Sequence, residues 1–235
     1  MPMMTLWAFI GIAILCGLGK WQLDRLQWKL GLIAAADSRS HAPPIPLDSV
    51  LGKAPADAEY THIVTAGEFI PGKRAYLFSQ LEDGRIGFQV LEPMRLTDGH
   101  VLIIDRGFVP QVGDRPARSE PAPVGTVQVT GLWRGSQKPG PFTPSPDFKS
   151  DIFYVRDVAA IASALGVKDP LPVTLTADRS TPKGIYPEGG HTRLIFRNEH
   201  LQYAVTWFAL ALVLLVMYLV YHWKRGRLSF GTPEG

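Results

Sequence analysis

LQYAVTWFALALVLLVMYLVY, residues 201–221, runs for 21 residues without a charged side chain. At about 1.5 Å of rise per residue, a helix of that length crosses a hydrocarbon core of roughly 30 Å. Reading this stretch as a transmembrane helix decides the fold, because it sets a membrane boundary for everything before it. The residues after it, His222-Trp223-Lys224-Arg225-Gly226-Arg227, are the aromatic and basic anchors expected where a helix meets headgroups. The residues before it, Arg197-Asn198-Glu199-His200, place a histidine at the other boundary.

A second uncharged run, MMTLWAFIGIAILCGLG at 3–19, has the same character. A cleaved signal peptide would have a basic leader and a small-residue cleavage site. This run starts after Met1-Pro2 and ends in Gly19-Lys20-Trp21-Gln22, so a retained transmembrane helix is expected. The lack of arginine before Arg25 also argues against a mitochondrial transit peptide. The expected organisation is a first transmembrane helix at 3–21 that continues to about 36, a soluble β-rich domain at 37–197, a second transmembrane helix at 198–222 and a basic tail at 223–235. A net charge of +3 in 235 residues, with lysine and arginine scattered, excludes a nucleic-acid-binding stripe. The single cysteine, Cys16, excludes an intrachain disulfide and a cysteine-built metal site.

Leu23, Leu26, Leu30 and Ile33 recur at three- and four-residue steps and continue the first helix as an amphipathic one, with Trp21, Arg25 and Lys29 on another face. Asp37-Ser38 and the prolines of HAPPIP at 41–46 end it. Strands are expected at Glu59–Phe69, Arg74–Leu81, Arg85–Met94, Val101–Val109 and Thr126–Trp133, with shorter ones at Ile152–Val155, Leu171–Ala177 and Arg193–Phe196. IPGK at 70–73, EDGR at 82–85 and TDGH at 97–100 separate them, and Asp-Gly between apolar runs is a hairpin signal. RDVAAIASALGV predicts one helix, with Asp157 near its start and Gly166 as its stop. The fold class is therefore a membrane α+β protein: two transmembrane helices, N- and C-terminal, flank a mainly antiparallel β domain, a curled sheet or open barrel with one helix. Two proline-rich loops, Gly113–Pro123 and Ser136–Pro146, are too long for simple hairpins.

No nucleophile elbow, H-E-x-x-H, Walker loop or complete G-x-G-x-x-G is present, and no acidic pair marks an acid–base couple. No catalytic residue is assigned. His41, His62 and His100 read as solvated or locally bonded, His222 as an anchor, and His191 as a weak second-ligand candidate. His200 differs in its surroundings. Asn198 reads as the N-cap with Glu199 in the first turn, so His200 opens the helix, where the dipole favours a neutral imidazole. Tyr203 and Trp207 follow on the same face. That face suits one side of a flat conjugated ring, with the imidazole as axial ligand to iron. It equally suits an interfacial aromatic belt in which His200 only caps or snorkels.

The two apolar helices run in opposite directions, which brings Trp21, Gln22 and Arg25 to the depth of Arg197, His200 and Tyr203. Gly11, Ala13 and Gly17 are expected to let the helices approach. A rim of aromatics, a histidine and arginines suits an amphiphile bearing carboxylates.

Three stretches resemble the SURF1/Shy1 family of cytochrome c oxidase assembly factors: GLGKWQLDRLQWK at 17–29, IIDRGFVP at 103–110 and RNEHLQYAVTWFALAL at 197–212. FTPSPD at 142–147 and FYVRD at 153–157 are similar to a looser family stretch. The resemblance implies a non-enzymatic chaperone of the respiratory chain. It would lie in the bacterial inner membrane, more readily than the mitochondrial one, with its soluble domain periplasmic and both termini cytoplasmic. It further implies haem a as cofactor, His200 as axial ligand to the haem iron, and Trp21, Gln22 and Tyr203 in the same region, to which Arg25, Arg197 and Trp207 are added as binding residues. The implied partners are the catalytic subunit of cytochrome c oxidase, haem a synthase and the membrane; the rival reading is a scaffold that grips an oxidase subunit without haem. Glu199, Pro146 and Phe153 depart from the family pattern. Lys20, Arg25 and Lys29 fall on the side read as outer, so charge counting does not support this topology.

Overall fold

The structure is a computed structural model that describes residues 2–54, 57–81, 83–178, 184–190 and 198–226. The expected strand at 193–196, together with His191 and Arg197, lies outside them. The chain divides into two compact units, Met1–Ala35 with Ile195–Gly235, and Ala36–Leu194.

The first unit is built from two helices, α1 (Pro2–His41) and α3 (His200–Lys224), each long and apolar enough to cross a membrane. Their outer surfaces carry Trp7, Phe9, Ile14, Val205, Leu212 and Met217, all exposed. A helix that is apolar all round matches hydrocarbon, not water. α1 runs past Asp37-Ser38 to His41, further than the sequence suggests. Ser40 Oγ donates to the Asp37 carbonyl at 2.8 Å, and Pro43 then denies Ala42 the helical conformation.

In the second unit, five strands close a barrel. They are β2 (His62–Phe69), β4 (Ile86–Leu96), β5 (Val101–Val112), β7 (Thr126–Gly135) and β9 (Pro170–Ala177). Neighbours around the ring are β2–β4, β4–β5, β5–β9, β9–β7 and β7–β2, antiparallel except for β5–β9. With the five renumbered in chain order, the ring reads 1-2-3-5-4-1, the connectivity of an OB-type barrel. β3 (Ala75–Gln80) extends the sheet beside β4, and β8 (Ile152–Phe153) lies on β3. Short β1 (Ile45–Pro46) and β6 (Arg115–Pro116) pair with β2 and β5.

Each Asp-Gly pair does what its chemistry suggests. At the β4–β5 turn Gly99 adopts φ +90°, its N–H donates to Leu96 O, and Asp98 Oδ1 accepts the His100 N–H at 3.0 Å. α2 (Val158–Ala164) starts on Asp157, whose Oδ1 accepts the Ala160 N–H at 3.2 Å, and ends before Gly166. Its Val158 and Ile161 pack with Leu77, Leu91 and Ile103 outside the barrel. Inside, Ile63, Met94, Leu102, Ile104, Trp133 and Leu175 form the main core. The 184–190 segment passes close over β5, bridging Phe108 to Glu188: a Cβ on Gly107, φ +124°, would collide with the Glu188 carbonyl.

The start of the domain is tied by a histidine. His62 Nε2 meets Asp178 Oδ2 at 2.7 Å and its Nδ1 meets the Ala42 carbonyl at 2.9 Å. Both partners are acceptors, so both ring nitrogens carry protons and the ring is an imidazolium. Burial opposes that charge, but the Asp178 hydrogen bond, the Ala42 carbonyl and the Asp178 charge outweigh it, raising the His62 pKa. A raised folded pKa contributes stability that is complete below the ordinary value of about 6.5 and fades as pH rises through the folded one. His62→Gln should therefore flatten the fall in thermal midpoint above pH about 6.5, at a cost of about 1–3 kcal/mol at pH 6. Thermal unfolding of the full chain across pH 5–9 checks this.

Candidate functional site

The helix pair has a readable seam. On α3, Ala204 and Ala211 are buried and Trp207, Leu214 and Tyr218 half-buried, at alternating steps of three and four. On α1 the matching row is Gly11, Leu15, Leu18 and Gln22. The helices run antiparallel: Thr5 meets Tyr218 at 3.1 Å, Gly11 lies under Leu214, Gly19 under Phe208, and Gln22 meets His200. The expected small-residue set is thus corrected. Gly11 and Gly19 provide the close approach, because a Cβ there would come 3.0 Å from Leu214 Cδ2 and 2.7 Å from Phe208 Cζ. Nothing lies within 4 Å of such an atom at Gly17, and Ala13 is exposed; both are turned off the seam.

Near one end of this apolar seam lies a polar pair. Gln22 is 9% exposed, and its Oε1 stands 2.8 Å from His200 Nδ1. An amide oxygen only accepts, so Nδ1–H is the donor. In the neutral ring the lone pair is then on Nε2, which has no partner among the described residues. The cap differs from the expectation. Glu199, not Asn198, is the N-cap; its carbonyl accepts the Tyr203 N–H at 3.2 Å, and Asn198 Oδ1 is buried without a partner among the described residues.

The other proposed residues surround this pair on one side. Measured from Gln22 at about 100° per residue, Arg25, Trp21 and Trp28 are turned by about 60°, 100° and 120° in one sense. From His200, Trp207 and Tyr203 are turned by about 20° and 60° in the same sense. In an antiparallel pair, positions turned in the same sense share one side. The Gly19–Phe208 contact, turned the other way on both helices, shows the same rule on the opposite side. Trp21 and Tyr203 are 54% and 51% exposed, so two large rings stand uncovered beside the imidazole. The Arg25 guanidinium lies 4.5 Å over the Trp28 ring, with no carboxylate partner among the described residues. Of the sequence-derived site residues, Gln22 and His200 are brought into contact, Trp21, Arg25, Tyr203 and Trp207 fall on the same side of the helix pair, and Arg197 lies outside the described residues. Trp28 is missing from that set, although its place three residues after Arg25 and seven after Trp21 signals it. At the far end the His222 ring lies against Tyr218, centroids 4.4 Å apart and planes tilted by 52°.

This is a two-helix membrane protein whose helices present a tautomer-fixed histidine, framed by aromatics and an arginine, and which carries an OB-type barrel. A model of the SURF1 family matches residues 9–212, and the chain belongs to that family. Surfeit locus protein 1 of Rattus norvegicus is 34% identical over 216 residues, covering 83% of this chain and 67% of the relative. The Homo sapiens protein of the same name is 34% identical over 218 residues, 83% and 69% respectively. A SURF1-like protein of Monosiga brevicollis is 32% identical over 240 residues, 95% of this chain and 89% of its own.

The seam makes a discriminating prediction. In full-length protein labelled with 15N-histidine, neutral His200 should be the Nδ1-protonated tautomer. Gln22→Leu should shift it toward Nε2–H, and so should Gly19→Leu, by forcing the helices apart; Gly17→Leu should not. Imidazole nitrogen shifts read all three.

Proposed function

We propose that the protein is an assembly factor for cytochrome c oxidase, not an enzyme, which binds haem a at the outer membrane boundary and assists its insertion into the catalytic subunit. The observation that carries the reading is the Gln22–His200 hydrogen bond, which commits Nδ1 and leaves Nε2 as the binding atom. A histidine whose second nitrogen donates to a carbonyl-type oxygen is the usual arrangement of a metal-binding imidazole.

The residues fit the group. Among the described residues no cluster of three His, Cys, Asp or Glu side chains could hold a bare ion, whereas a haem would need only the single nitrogen donor that His200 offers. Trp21, Tyr203 and Trp207 offer ring faces to a macrocycle. Arg25 offers a cation to a propionate, held in place by stacking on Trp28. The bound haem would supply the iron chemistry, while the protein supplies position, one ligand and exclusion of water. On this reading the helices cross the bacterial inner membrane with both termini cytoplasmic and the β domain periplasmic. The oxidase subunit and haem a synthase are the proposed partners.

Purified from cells that make haem a, the protein should show a stoichiometric Soret band. His200→Ala should abolish most of it while leaving the thermal midpoint of the β domain unchanged. An unaltered spectrum in His200→Ala would refute the ligand assignment, and colourless wild-type protein holding an oxidase subunit would favour the scaffold reading.

A further inference from the structure

The barrel is closed, yet its wall has an opening. β9 ends at Ala177, so β7 is paired with β9 only over Gly131–Gly135, followed by one bond from the Asp178 N–H to Thr130 O, and among the described residues Thr126–Val129 pair with β2 alone. Beside that stretch a cavity of about 320 Å³ reaches the core, lined by Phe69, Ile104, Val127, Val129 and Ala177. Val127 and Val129 belong to the inward row of β7, and both remain half-exposed while other inward residues are buried. Water therefore wets apolar side chains that the strand alternation directs inward, and covering them is favourable by roughly 25 cal/mol per Å².

The outer wall is the proline strap that the sequence marks as an overlong loop. Glu92 is buried between Arg74 at 2.6 Å and Arg106 at 2.8 Å. The same two arginines donate to Ser119 Oγ and to the Glu120 and Pro121 carbonyls at 3.0–3.3 Å. Pro123 is thereby held against the cavity mouth. Charges at the rim are already engaged: Arg106 by Glu92 and the strap, Asp178 by His62. Among the described residues, what the rim otherwise presents is neutral, Gln128 and Thr130. Such a site rejects an ionic head and accepts a hydrocarbon tail with an uncharged polar end. At roughly 30 Å³ per water-sized group, the space holds about ten methylene-sized groups.

We propose that this opening binds the aliphatic tail of a neutral membrane amphiphile, with its polar end on Gln128 and Thr130. A chain bearing two helices fit for hydrocarbon meets such tails wherever it resides.

The test uses full-length protein in native membranes and three diazirine-bearing probes, hexadecanol, farnesol and palmitic acid, with attachment mapped by mass spectrometry. The alcohols should label the peptides containing Val127–Thr130 and Ala177–Asp178, unlabelled hexadecanol should compete, and palmitic acid should label them about tenfold less. Val129→Phe and Ala177→Leu, which fill the space, should each reduce labelling without lowering the thermal midpoint. Preference for hexadecanol or farnesol identifies a straight or a prenyl chain. Labelling confined to the two helices, labelling of the barrel that unlabelled hexadecanol does not displace, or equal labelling by palmitic acid overturns the proposal.

Discussion

One polar contact inside an apolar helix seam organises the candidate site. Between two helices in hydrocarbon, packing is only weakly selective, because lipid tails compete with side chains on equal terms. Gln22 and His200 break that indifference. An unmet amide or imidazole in lipid is costly, so the register that joins them at 2.8 Å is preferred over any shift along the seam. Gly11 and Gly19 make the register reachable by letting Leu214 and Phe208 lie against the α1 backbone. The same bond that sets the register decides which imidazole nitrogen faces outward. Helix register and the orientation of the imidazole thus rest on one hydrogen bond, and the aromatics and Arg25 lie within about two turns of it.

The barrel solves a different problem. Among the described residues it buries four charged side chains, Glu92, Asp105, Arg134 and Arg156. Glu92 serves two arginines whose remaining donors go to backbone carbonyls of the strap. Arg134 pairs with Glu59 at 2.9 Å, and Glu59 also accepts the Gly135 N–H. Burial pushes the Asp105 carboxyl up, while Arg156, the Gly107 N–H and Thr176 Oγ1 hold it down. Burial and the neighbouring Arg134 lower Arg156 in turn, whose Nε finds no partner among the described residues. Removing one partner from a network of this kind leaves an uncompensated buried charge, at a cost of about 3–5 kcal/mol. The IIDRGF stretch is its centre: Asp105 and Arg106 each face a charge group, and Gly107 permits the chain from Glu188 to pass.

Much of this was legible in the sequence because it is local. The two helices follow from uncharged length, the hairpins from Asp83-Gly84 and Asp98-Gly99, and α2 from Asp157 and Gly166. Barrel closure was not legible, since it depends on Gly67–Phe69 finding Met94–Leu96 across the intervening β3. Nor was the seam: Ala13 and Gly17 are as small as Gly11 and Gly19, and only the partner helix selects a face. Asn198 is the better capping residue by propensity, but its oxygen finds no helix amide among the described residues and the helix begins one position later. The antiparallel helices place Gln22 at the depth of His200, but its hydrogen bond to the imidazole depends on which face each helix presents, and that is visible only in the structure.

The central claim concerns proximity, and thiol cross-linking in native membranes addresses it most directly. In a Cys16→Ala background, Gln22→Cys combined with His200→Cys should be joined efficiently by a short bismaleimide, whereas Gln22→Cys with Ala211→Cys should not. Efficient joining of the second pair, with the first left unjoined, would contradict the seam and with it the reading of His200.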